Sequence, residues 1–184
     1  VSGISVTGVD AGNYSLFANT ANTTANITPR GLTVNATGQA KVYDGTTSAT
    51  VNFNDNRVSG DNFTVLGVST FLDKNVGTGK VVSVGSISLT GVDATNYTVT
   101  TSGLSTLANI TARGLTVSAT GQAKVYDGTT SATVLLSDNR VVGDGLTLSN
   151  TSATFGDKNV GTGKSVSVSG ISVTGVDAGN YSLF

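Results

Sequence analysis

The stretch "AKVYDGTTSATV" occupies residues 40–51 and returns unchanged at 123–134. Apolar and polar residues alternate around an Asp-Gly pair, the pattern of two strands joined by a tight turn. Ala40 to Val42 end one strand, Asp44-Gly45 turns the chain, and Ala49 to Val51 start the strand back. In this reading Tyr43 packs across the edge of the unit, and Asp44 caps backbone N–H groups near Thr46 and Thr47. Tyr126, Asp127 and Gly128 take the same places in the second copy. A tyrosine beside an aspartate also suits a binding site, so the surrounding sequence has to decide between site and turn.

Repetition extends well beyond this stretch. "ITPRGLTVNATGQAKVYDGTTSATV" at 27–51 matches "ITARGLTVSATGQAKVYDGTTSATV" at 110–134, differing only at Pro29/Ala112 and Asn35/Ser118. "ISVTGVDAGNY" at 4–14 returns as "ISLTGVDATNY" at 87–97 and unchanged at 171–181. "DKNVGTGK" sits at 73–80 and 157–164. The shifts are 83 and then 84 residues, and residues 1–17 equal residues 168–184, so a 167-residue double repeat lies behind the single one. The expected division is 1–28, the C-terminal part of a preceding repeat; 29–111, a complete repeat; and 112–184, a repeat lacking its last strand. The chain opens mid-pattern at Val1 and reads as a window cut from a longer array.

The chain of 184 residues has no Cys, His, Met or Trp, one Pro, and eleven acidic residues that are all Asp. β-Branched residues are frequent and helix formers scarce, which predicts an all-β chain with almost no helix. Each unit reads as six or seven short strands with turn signals every 8–12 residues. The resulting fold class is tandem small antiparallel β-sandwich or β-grasp-like repeats. Val82 and Val84 precede Ile87 and Leu89 across Gly85-Ser86, which reads as a bulge. "ANITPRGLTV" at 25–34 carries the last strand of one unit into the first strand of the next without a Gly/Ser-rich or charged linker. A linker-poor, semi-rigid rod is therefore expected.

The functional readings narrow quickly. A formal net charge of −1 gives no electrostatic case for nucleic acid or an acidic membrane. No apolar run reaches the roughly 20 residues of a transmembrane helix, so membrane insertion is not expected. Without His, Cys or Glu, no Ser-His-Asp or Cys-His arrangement can form, and an enzyme is not expected. "NVGTGKS" at 159–165 has Lys158 where a phosphate-binding loop needs Gly, and reads as a Gly-rich hairpin loop. Asp10 and Asn13, with Asp93 and Asn96, and Asp177 and Asn180, fall in "GVDAGNY"-type turns. They could offer oxygen ligands to Ca²⁺, but an Asx-type turn bonding its own backbone accounts for them better. No metal or cofactor is expected. A Lys–Asn cross-link at "DKNVGTGK" would need a buried carboxylate beside the pair, and these lysines flank turns where solvation is expected. Nine Asn-x-Ser/Thr sequons, at Asn13, Asn22, Asn26, Asn35, Asn62, Asn96, Asn109, Asn150 and Asn180, permit glycosylation. The polar strand faces also resemble ice-binding or glycan-binding arrays, though solvated faces suffice to explain them.

Taken together, "AKVYDGTTSATV", "GDNFTV", "DKNVGTGK", "ISVTGVDAGNY" and "ANITPRGLTV" resemble the YDG-type repeat of large bacterial filamentous-haemagglutinin-like surface exoproteins. The resemblance covers essentially the whole chain. It implies secretion to the bacterial cell surface, a β-rich stalk, and a role in adhesion, biofilm or an extracellular fibre, with no catalytic site. The near-identity of the two copies suits recent array expansion, in which length is the useful property. Expected partners are neighbouring repeats of the same chain. Two alternatives stay open: a glycan-binding repeat using Tyr43 or Tyr126 with Asp44 or Asp127, and a filament subunit that associates with other copies by strand complementation.

Overall fold

The computed structural model describes all 184 residues. Helix is confined to three 3-10 turns, Ala11–Asn13, Ala94–Asn96 and Ala178–Asn180. The chain is an all-β tandem of two repeats. The first contains β1 (Arg30–Leu32), β2 (Val34–Gly38), β3 (Lys41–Val42), β4 (Ser48–Ala49), β5 (Val51–Asp55) and β6 (Thr64–Leu66). It continues with β7 (Ser69–Phe71), β8 (Gly77–Val84), β9 (Ser88–Thr90), β10 (Tyr97–Val99) and β11 (Ser105–Thr111). The second contains β12 (Arg113–Leu115), β13 (Val117–Gly121), β14 (Val134–Asp138) and β15 (Thr147–Ser149). It ends with β16 (Ser152–Phe155), β17 (Val166–Ser169), β18 (Ser172–Thr174) and β19 (Tyr181–Leu183).

Two layers build the first repeat. One comprises the two-stranded ladders β1–β10, β2–β5 and β6–β9 over a core of Leu32, Val34, Phe63, Val65 and Tyr97. The other is a five-stranded sheet in the order β3-β11-β8-β7-β4. Strand alternation sets which side chains enter: Val82 and Val84 of β8 and Phe71 of β7 are buried while their neighbours face water. The chain switches between the layers at Gly85-Ser86. These residues separate β8 from β9, which pairs β6 instead, so the expected bulge is a change of sheet. The bulge lies in β11, between Ala108 and Ile110.

Pairing is mixed, where antiparallel sheets were expected. β1–β10, β3–β11 and β12–β19 are parallel. None of these partners is joined by a hairpin; each pair closes over a long crossover, the connection parallel strands require.

β11 holds the five-stranded sheet together. It pairs antiparallel with β8 and parallel with β3. Ala108 and Ile110 are 7% and 1% exposed. The second repeat has no paired strand in the place of β11. Its ladders β12–β19, β13–β14 and β15–β18 match those of the first, but only β16–β17 and a Ser131–Thr154 bridge represent the larger sheet. The identical stretch 123–134 therefore holds no strand before Val134 beyond that one bridge. Residues 1–29 form no strand either; Ile27, the counterpart of Ile110, is 100% exposed.

Two chemically equal substitutions test this dependence on pairing. Ile110→Ala is expected to cost about 2–5 kcal/mol, as for other fully buried Ile or Leu truncations. Ile27→Ala should stay within about 0.5 kcal/mol, since nothing packs on it. Denaturant unfolding of both variants checks the pair.

Candidate functional site at the repeat junction

The turn at 43–46 is built from its own side chains. Asp44 Oδ1 accepts from the Thr46 N–H at 2.9 Å, from the Thr46 hydroxyl at 2.9 Å and from Lys41 Nζ at 2.7 Å. Gly45 has φ +79°, a conformation side chains resist. The second copy repeats this geometry: Asp127 Oδ1 accepts from Thr129 N and Lys124 Nζ, and Gly128 has φ +78°. The Lys124 ammonium and the Thr129 N–H bring the Asp127 carboxyl down to about 2. The turn is thus local. It is not a hairpin, however. β3 and β4 occupy opposite edges of the five-stranded sheet, with β11, β8 and β7 between them. The insertion of β11 beside β3 keeps β3 and β4 from pairing.

What the turn presents is Tyr43. The side chain is fully buried, in a core that both repeats supply. The Tyr43 hydroxyl donates to the Asp144 carboxylate, lying 3.0 and 2.9 Å from its two oxygens. The Tyr181 hydroxyl donates to Asp144 Oδ2 at 2.5 Å, and the two rings meet edge to face with centroids 5.5 Å apart. Lys74 Nζ reaches Asp144 Oδ1 at 2.9 Å and Asp177 Oδ1 at 3.0 Å. Asn180 Oδ1 accepts from the Val76 N–H at 2.9 Å, and its Nδ2 donates to Asn75. Tyr43, Phe71, Val82, Ala108 and Ile110 thereby share one core with Leu115, Leu146 and Tyr181.

Electrostatics favour the assembled state. Burial opposes charge on Asp144, but hydrogen bonds from Tyr181, Lys74 and Tyr43 outweigh it and hold the carboxyl below its ordinary value. Tyr181 is pushed up to about 12, by burial first and then by Asp144. Tyr43, Asp144 and Asp177 together raise the pKa of Lys74 well above its ordinary value. Lys74 was expected to be solvated; it is an inter-repeat ion pair.

The other turn residues divide between repeats. Asp177 and Asn180 belong to the junction. Asp93 Oδ2 accepts from the Asn62 N–H, and Asn96 is exposed. Asp10 and Asn13 lie on the exposed first 3-10 turn. None of the three aspartates bonds the turn it opens; in place of the expected Asx geometry Asp93 and Asp177 accept from the Asn62 and Gly145 N–H groups of distant loops. A further motif escaped notice in the sequence. In "DNR", Arg140 grips Asp138 through two nitrogens and donates to the Leu146 carbonyl at 2.6 Å. It fixes the loop that carries Asp144, as Arg57 does beside Asp61. Its recurrence in both copies was a visible signal without a visible partner.

Tandem all-β repeats joined through a shared, charged core define the class of protein. The YDG domain family model matches residues 28–104 and 111–183, and the chain belongs to that family. No curated protein and no solved structure matches it.

Tyr43→Phe removes the hydroxyl that solvates a buried carboxylate and should cost about 1–3 kcal/mol. Tyr126→Phe, at a site 57% exposed, should stay within about 0.5 kcal/mol in the same denaturation assay. A pH dependence follows as well. Because the folded-state pKa of Asp144 is depressed, its contribution is full above the ordinary carboxylate range. It is lost as pH falls through the depressed value. The melting-temperature gap between the parent chain and Asp144→Asn should therefore shrink on acidification. A gap that widens in acid would contradict the assignment.

Proposed function

We propose that this chain is a segment of a structural stalk or filament, in which each YDG repeat seats its tyrosine in the next repeat to make a fixed joint. The shared core carries this reading: Tyr43 of one repeat is buried against Asp144 and Tyr181 of the other. Only Ala112 separates β11 from β12, too little chain for a flexible hinge. Such arrays gain stability from each unit and from each interface with a neighbour. Resemblance to filamentous-haemagglutinin-like exoproteins supports placement on the bacterial cell surface, with adhesion, biofilm or fibre formation as the process served. A glycan site at Tyr43 is disfavoured, because that ring is not reachable by a ligand once the junction forms.

Pulling a multi-repeat array from its ends tests the proposal. Unfolding events should be uniform, each releasing about 270–300 Å of contour for 83 or 84 residues at full extension. Irregular, small releases would contradict a mechanical array.

A further inference from the structure

The parallel pairs share a pattern that packing alone does not demand. β1 pairs with β10 and β3 with β11, each joining a strand near the start of the first repeat to one near its end. β12 with β19 repeats β1 with β10 in the next copy. Every other ladder is antiparallel.

This pattern decides how tension along the chain meets the fold. In the β1–β10 ladder Arg30 lies beside Tyr97, and Leu32 beside Val99. The chain enters at the Arg30 end, while β10 leaves toward β11 at the opposite end. Pulling the chain lengthwise therefore slides the two strands past each other. Two threonines extend the grip. The Thr100 N–H and hydroxyl both donate to the Leu32 carbonyl, at 2.9 and 3.0 Å. The Thr101 hydroxyl accepts from the Val34 N–H at 2.8 Å.

β11 is loaded in the same way. It lies between β8 and β3. Its register runs from Ser105 beside Ser83 to Ile110 beside Gly77 on one side, and its end pairs with Lys41 and Val42 on the other. Tension through Ala112 draws β11 lengthwise against both neighbours. Bonds between sliding strands stretch together and share the load. Bonds at a peeled edge break one after another. Resistance to force is set by this barrier to leaving the native state rather than by overall stability.

We propose that the parallel pairing of terminal strands is a mechanical clamp, by which a repeat resists tension along the chain better than force that separates its strands sideways. The clamp deepens the stalk reading and takes its purpose from it. It also accounts for the position of β11, which closes the clamp of one repeat and transmits the load through Ala112 to the next.

Single-molecule pulling of the full chain in two directions tests the clamp. The chain has no Cys, so two introduced cysteines give unique handles. Thr28→Cys with Ala112→Cys loads β1 and β11 lengthwise. Val42→Cys with Ala112→Cys pulls on the adjacent ends of β3 and β11, where Val42 pairs with Thr111, and peels them. Thr28 and Val42 are exposed, and Ala112 is common to both variants. At one loading rate the unfolding force should be several-fold higher in the first geometry. An equal or lower lengthwise force would overturn the proposal. Equal forces leave a uniform contour release from an array possible, and unequal forces leave an irregular one possible, so the clamp and the stalk reading fail separately.

Discussion

One strand does two jobs, and the rest of the structure follows from that. β11 completes the five-stranded sheet of the first repeat, and after Ala112 the same backbone becomes β12, the opening strand of the second. Closing one repeat and positioning the next are therefore a single event. With β11 in place, β3 is held at the sheet edge and Tyr43 N donates to the Thr111 carbonyl at 2.9 Å. That contact aims the tyrosine across the boundary. Where no such strand pairs, the same twelve residues leave their tyrosine in solvent.

The joint then depends on a buried charge. Asp144 is 3% exposed at its side chain and has three donors, two from the first repeat and one from its own. Taking a carboxylate out of water is expensive, and removing one partner of a buried pair commonly costs several kcal/mol. Such a cluster punishes misalignment more than it rewards contact. That property suits a joint whose task is to hold one orientation. Two ion pairs of Lys74, with Asp144 and Asp177, span the junction, while the other charged pairs stay within single repeats.

Much of this was legible in the sequence. The all-β class, the repeat lengths and the missing linker come directly from β-branched composition and from self-similarity. The Asp44–Thr46 turn was legible because its partners lie two residues apart. Tyr43's role was not, because its partner is 101 residues away in the other repeat. Comparison of the copies flags Asp61/Asp144 and Lys74/Lys158 as recurrent, but period alone does not show that Lys74 of one repeat meets Asp144 of the next. The hairpin expected at Asp44-Gly45 failed for a related reason. Asp-Gly specifies a local turn, while strand order is set by β11, which enters from much later in the chain.

The central claim is that the two repeats form one rigid body through Tyr43, Lys74 and Asp144. Residual dipolar couplings of backbone amides test it most directly. Couplings from residues 30–111 and from residues 113–183 should fit a single alignment tensor. Two tensors of different magnitude or orientation would show that the repeats move independently, and would contradict the account.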